Sequence, residues 1–149
     1  MRKMFLLALS FLLWATPGAA IDGLVALKSP YPAPATMDRL QTLVQQKGLT
    51  VFARIDHAKG AAAAGLNLRP TEVILFGNPQ GGTPFMECAQ TAGIDLPLKV
   101  LVWEDESGQT WLGYNDPAYL ARRHQVPDCP VVPKLAGALA AIAARVVAP

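Results

Sequence analysis

Two histidines, two cysteines and one glycine-rich loop are where side-chain chemistry could concentrate in this chain. His57 follows the apolar-alternating run Val51 to Asp56. An imidazole at such a strand end could serve as a base, a metal ligand or a cap on the next helix. Asp56 precedes it and points to the opposite face if the strand continues, so the two make no ready dyad. His124 closes the basic stretch Arg122-Arg123 and suits the negative end of a helix dipole. Cys88 falls about five residues into an expected helix, beyond the first turn in which the dipole lowers a thiol pKa. Cys129 lies in a proline-rich loop. A Cys88–Cys129 bridge would close a loop of ~40 residues and stabilise the chain by ~3–4 kcal/mol. Two free thiols are the alternative. They would leave room for a thiol-dependent or hydrolytic enzyme using Cys88 with His57. Mixed ligation by Met86, Cys88 and His57 would suit copper in a reduced state, a weaker metal-handling reading.

The loop Gly77-Asn78-Pro79-Gln80-Gly81-Gly82-Thr83 joins a buried strand to a helix start. Outward-pointing backbone N–H groups there would suit a small anion or a carboxylate. The plainer reading is that the glycines allow a tight turn, since the loop holds no lysine or arginine. A ligand site drawn from polar residues at strand ends would use His57, Asn78, Thr83 and Lys99. Familiar catalytic signatures are missing. The sequence has no GxxxxGK[ST], no GxGxxG, no CxxC, no HExxH and no GxSxG. With two histidines, a multi-histidine metal centre within one chain is excluded, and no motif assigns a cofactor.

These residues need a scaffold, and the hydrophobic pattern supplies one. Strands are expected at Gly23 to Lys28, Val51 to Asp56 and Glu72 to Phe76, the last apolar on both faces and so central. Ser29 to Ala35, with three prolines, reads as a loop before a helix from Met37 to Lys47 capped by Thr36. His57 to Gly65 reads as a short helix. Thr83 and Pro84 read as the cap and first residue of a helix carrying Phe85, Met86 and Cys88. Lys99 to Asp105 and Thr110 to Asn115 form a hairpin around Glu106-Ser107-Gly108, which sets Trp103 opposite Trp111. Asp116-Pro117 starts another helix, through His124. A last helix runs from Lys134 to Val147, with Leu135, Leu139, Ile142 and Val146 at helical spacing. This order predicts a two-layer α+β sandwich of about four or five mainly antiparallel strands with helices on one face. A doubly wound parallel sheet is the alternative, weakened by the hairpin.

The first twenty residues read as a cleavable signal peptide. Arg2 and Lys3 precede the apolar run Met4 to Ala15, Pro17 breaks it, and Gly18-Ala19-Ala20 supplies small residues for cleavage. A run of ~12 residues is too short to span a bilayer, so no stable anchor is expected after cleavage near Ala20. The expected location is the periplasm or the outside of the cell, where disulfides persist. Arg2 and Lys3 are the only charges in that segment. The chain holds 13 Lys+Arg and 11 Asp+Glu, so the remainder is balanced. A balanced domain offers no basic stripe for phosphates, which excludes nucleic acid as an expected partner. Roughly 130 residues remain, enough for one domain with a real core (21–149).

The block from Thr50 to His124 is also similar to a known family. The matching pieces are Ile55-Asp56-His57; Phe76-Gly77-Asn78-Pro79 with Gly82-Thr83-Pro84 and Met86; Leu96-Pro97-Leu98-Lys99; Trp103-Glu104-Asp105 with Gly108; and Tyr114-Asn115-Asp116-Pro117 with Leu120 and Arg123. Together they resemble the domain of unknown function 302 family over roughly residues 23–124. The resemblance implies a small α+β fold similar to one repeat of the TATA-binding protein, commonly paired as a homodimer. It implies no established activity. Residues 125–149, with Cys129 and the last helix, read as an extension of that core. The expected function is a non-catalytic small-ligand-binding or interaction module.

Overall fold

The computed structural model describes residues 21–149. The expected signal peptide lies outside the described residues. Five strands form one sheet: β1 (Leu24–Lys28), β2 (Thr50–Asp56), β3 (Thr71–Gly77), β4 (Leu98–Glu104) and β5 (Thr110–Asn115). Their order is β1-β5-β4-β3-β2, and every neighbouring pair is antiparallel. The parallel alternative is thereby overturned. β3 lies inside the sheet, as its two apolar faces require. β2 forms an edge and carries an irregularity between Val51 and Ala53.

One face of the sheet is covered by two long helices, α1 (Ala33–Gln46) and α5 (Val132–Val147). Met37, Leu40 and Val44 of α1 meet Ile74, Phe76, Val100, Val102 and Leu112 from the strands. Leu139, Ile142 and Val146 of α5 complete this core. Each such fully buried large side chain contributes about 1.5–3 kcal/mol. The last helix is therefore part of the main core, not an appendage.

Between the strands lie α2 (His57–Ala63), α3 (Pro79–Cys88) and α4 (Pro117–Arg123), with a 3-10 turn at Gln90–Ile94. Phe85, Ala92, Leu120, Ala121, Cys129, Val132 and Leu135 form a second, smaller core around α3, α4 and the start of α5.

Several boundaries differ from expectation, mostly because of proline. α1 begins at Ala33, and Pro34 sits in its first turn, where no N–H is needed. Thr36 is thus inside the helix instead of capping it. It is buried, and its hydroxyl bonds Ser29 Oγ at 2.7 Å. α3 likewise begins early, with Asn78 as its cap and Pro79 in its first turn. Thr83 and Pro84 fall within that helix.

The hairpin forms as the pattern requires. Trp103 pairs with Trp111 in register, with ring centroids 6.2 Å apart and stacked. Gly108 adopts φ +81° in the turn, a conformation that favours glycine. Gly113 makes room for Trp103: a Cβ there would lie 2.9 Å from the indole ring.

Candidate functional site

An apolar cavity of about 410 Å³ opens where the Thr50–Gly77 end of the β2–β3 ladder meets α3 and α5. Leu49 and Phe52 come from the β2 edge, and Phe76 and Gly77 from the end of β3. Met86 and the small residues Gly81 and Gly82 come from α3. Leu96, Pro97 and Leu98 lead into β4. Leu135, Ala138, Leu139 and Ile142 present one stripe of α5. No charged side chain belongs to this lining; the polar side chains are Asn78 and Thr83.

The local sequence explains why the cavity stays open. Gly81 and Gly82 sit in the first turns of α3, so that helix offers little side-chain bulk toward α5 there. Gly81 approaches closely: a Cβ there would stand 3.4 Å from Leu135 Cδ2. α3 is also fixed covalently. Cys88 at its last residue is bonded to Cys129, just before α5, with Cα atoms 6.0 Å apart. The bridge ties one wall of the cavity to the segment that leads into another.

The glycine-rich segment is therefore a helix start, and the N–H groups of Gly81 and Gly82 are already engaged. The N–H of Gly81 donates to Asn78 Oδ1 at 2.9 Å, and the N–H of Gly82 donates to the Asn78 carbonyl at 3.1 Å. These two N–H groups are therefore not free to cradle a small anion, and any polar ligand group would have to be met by side chains.

The four polar candidates do not converge. Asn78 and Thr83 line the cavity. Lys99 follows Leu98 on β4 but projects from the opposite sheet face, and its Nζ donates to the Asp95 carbonyl at 3.1 Å. His57 starts α2 at the far end of β2, where Asp56 pairs with Glu72. Glu72 to Gly77 spans roughly 17 Å of strand, which separates His57 from Asn78. His57 is exposed, and Asp56 supplies the cap, accepting from the Lys59 N–H at 2.8 Å. A Cys88–His57 catalytic pair is not formed, because Cys88 is in the disulfide and His57 lies at the other end of the ladder. The reduced-copper set of Met86, Cys88 and His57 fails for the same reasons.

Other polar groups take structural roles. His124 Nε2 lies 2.6 Å from Asp95 Oδ2, and its Nδ1 lies 3.0 Å from the Thr91 hydroxyl. Arg123 adds a contact to Asp95 Oδ1 at 3.1 Å. These bonds lock the end of α4 against the 3-10 turn. At the far end of the ladder, Arg54 bridges Glu72 and Asp38, the latter at 2.7 Å. Its hydrogen bond to Glu72 is the main reason its guanidinium pKa is raised. In the hairpin turn, the Asp105 carboxylate accepts from Ser107 Oγ at 2.6 Å and from Trp111 Nε1 at 2.7 Å. These bonds, that of Ser107 first, lower its pKa to about 2.

The sequence does not present the cavity as a unit. Its signal is weak: Leu135, Ala138, Leu139 and Ile142 read as ordinary helix packing, and Phe52 as one residue of a strand. Only the closure of the sheet beneath α3 and α5 brings them together.

Among curated proteins, the chain is 49% identical over 105 residues to the fluoride-specific ion channel FluC 1 of Brucella suis. That alignment covers 70% of this chain and 41% of the relative. FluC 1 of Brucella abortus and FluC 2 of Brucella melitensis match equally, each with 39% of its length covered. The chain thus spans about two fifths of the curated relatives it matches. None of the described helices is long and apolar enough to cross a membrane. Among solved structures, the uncharacterized conserved protein DUF302 from Bacillus stearothermophilus superposes with a TM-score of 0.75 at 21% identity. It covers 84% of this chain and 98% of its own, so the two share a fold. The family model for domain of unknown function DUF302 matches residues 25–142, taking in all five strands and most of α5. The chain belongs to the DUF302 family.

Proposed function

We propose that this protein is a non-catalytic binding module that holds an apolar small molecule in the cavity between α3, α5 and the end of β3. The observation that carries this reading is the cavity itself: about 410 Å³, with no charged side chain in its lining. Its volume falls in the range of small-ligand sites, roughly 300–1,000 Å³, and its apolar walls would gain from covering apolar surface. The N-terminal pattern and the disulfide support a place of action outside the cytoplasm. Exposed Phe52 and Ile55 on edge strand β2 support the pairing of two copies, which light scattering would test.

The test uses N-phenyl-1-naphthylamine, a neutral dye that fluoresces in apolar surroundings. The wild-type chain binds it with a saturable signal. Ala138→Trp, at an exposed position of α5 on the cavity wall, fills the space and weakens binding at least about tenfold while the fold is kept. No saturable binding by the wild type, or equal binding by Ala138→Trp, would refute the reading.

A second reading rests on the Brucella relatives. Their names make them fluoride-specific ion channels, and this chain matches about two fifths of each. The chain would then be a companion domain of fluoride handling. Fluoride sensitivity of a deletion strain tests this; an unchanged growth limit in fluoride would reject it.

A further inference from the structure

We propose that the cavity's ligand is an amphiphile whose polar end is a hydrogen-bond acceptor, a carboxylate above all, read by Asn78 and Thr83. The inference rests on the apolar-cavity reading and specifies its ligand class. Asn78 and Thr83 are the polar side chains of a lining that is otherwise apolar. The orientation of the Asn78 amide is fixed by chemistry. Its Oδ1 accepts from the Gly81 N–H at 2.9 Å, and an NH₂ group could not take that place. The NH₂ edge is therefore left over, and it has no acceptor among the described residues. The Thr83 hydroxyl likewise makes no side-chain hydrogen bond among the described residues, and Thr83 is exposed at the outer part of the lining. Two unspent donors thus stand beside an apolar space. An apolar body would fill the space, and an acceptor at its wet end would take both donors. A carboxylate takes them best, because hydrogen bonds to an ionised acceptor are about twice as strong as neutral ones. Near water, that group keeps most of its solvation and needs no buried counter-ion.

The experiment displaces N-phenyl-1-naphthylamine with decanoate or with decanol at pH 8, using the full chain with its disulfide intact. The wild type binds decanoate about tenfold more tightly than decanol. Asn78→Asp keeps an oxygen for the Gly81 N–H but removes the NH₂ donors and adds a negative charge. In this variant the preference inverts. Thr83→Val keeps the side-chain volume and lowers the preference about threefold. Thr83→Val also serves as the test if Asn78→Asp does not fold. Equal affinity for the two displacers in the wild type, or a preference unchanged in both variants, overturns the inference while dye binding leaves the cavity reading standing. Failure of the dye to bind the wild type overturns both.

Discussion

The two ends of the β2–β3 ladder are built from different materials. At the Thr50–Gly77 end, the strands stop beneath α3 and α5, and the space between them is lined by apolar side chains. At the Asp56–Glu72 end, the surface is held by polar bonds: Arg54 to Glu72 and Asp38, Asp56 to the start of α2, and Asp105 across the hairpin turn. The polar end contains His57, the residue whose type most invites a chemical role, yet α2 buries none of its residues. The apolar end contains no titratable group in its lining, yet it holds the cavity. Reactive residue types thus mark where chemistry is possible, and unfilled packing marks where a ligand fits. Here the two fall at opposite ends of one sheet.

The contrast can be broken most forcefully in the packing beside the cavity. Phe85 of α3 is fully buried in the smaller core. Phe85→Ala should cost about 3–5 kcal/mol in chemical denaturation. It should also abolish dye binding, since α3 loses its seat. Phe52→Ala, at 57% exposure on the cavity's edge, separates the two effects. It should change stability by about 0.5 kcal/mol or less while weakening dye binding severalfold.

The covalent tie comes next. Replacing Cys88 and Cys129 together by alanine should lower stability by about 2–4 kcal/mol, read from the denaturation midpoint. Because the bridge ties α3 to the segment that leads into α5, dye affinity should fall in the remaining folded protein as well.

At the polar end, the expected effects follow pH. Asp105 is held at about 2, below the ordinary aspartate value of about 4, by hydrogen bonds from Ser107 and Trp111. Its contribution to stability is therefore complete above pH ~4 and is lost as pH falls toward ~2. Asp105→Asn should remove that acid-sensitive component, seen as a flatter stability curve between those limits. Dye affinity should be unchanged, since Asp105 is distant from the cavity. The smallest effect belongs to His57→Ala. At this exposed position stability should stay within about 0.5 kcal/mol of wild type, and dye binding should not change.

Most of the scaffold was legible in the sequence because local signals agree with the tertiary fold. The Trp103–Trp111 hairpin and the Asp116-Pro117 helix start each combine turn chemistry with periodicity, and both form as read. The double-sided apolar run at Val73 to Phe76 correctly marked an interior strand. Errors gathered where proline could begin a helix at more than one place. Pro34 and Pro79 each open a helix earlier than the capping pattern at Thr36 or Thr83 suggested. The site was less legible. Strand-end position groups Asn78 and Thr83 with His57 and Lys99, because it says nothing about which end or face each residue occupies. The cavity's walls come from segments far apart in sequence, and nothing in Leu49, Phe52 or Ala138 taken singly distinguishes a wall from a packed contact.

Backbone and methyl NMR during titration with N-phenyl-1-naphthylamine tests the cavity most directly. Resonances of Met86, Leu98, Leu135 and Ala138 should shift together and saturate, while those of His57, Asp56 and the hairpin turn stay fixed. Shifts centred on His57, or no saturable shift at the cavity residues, would contradict the assignment of the binding site to the apolar end of the sheet.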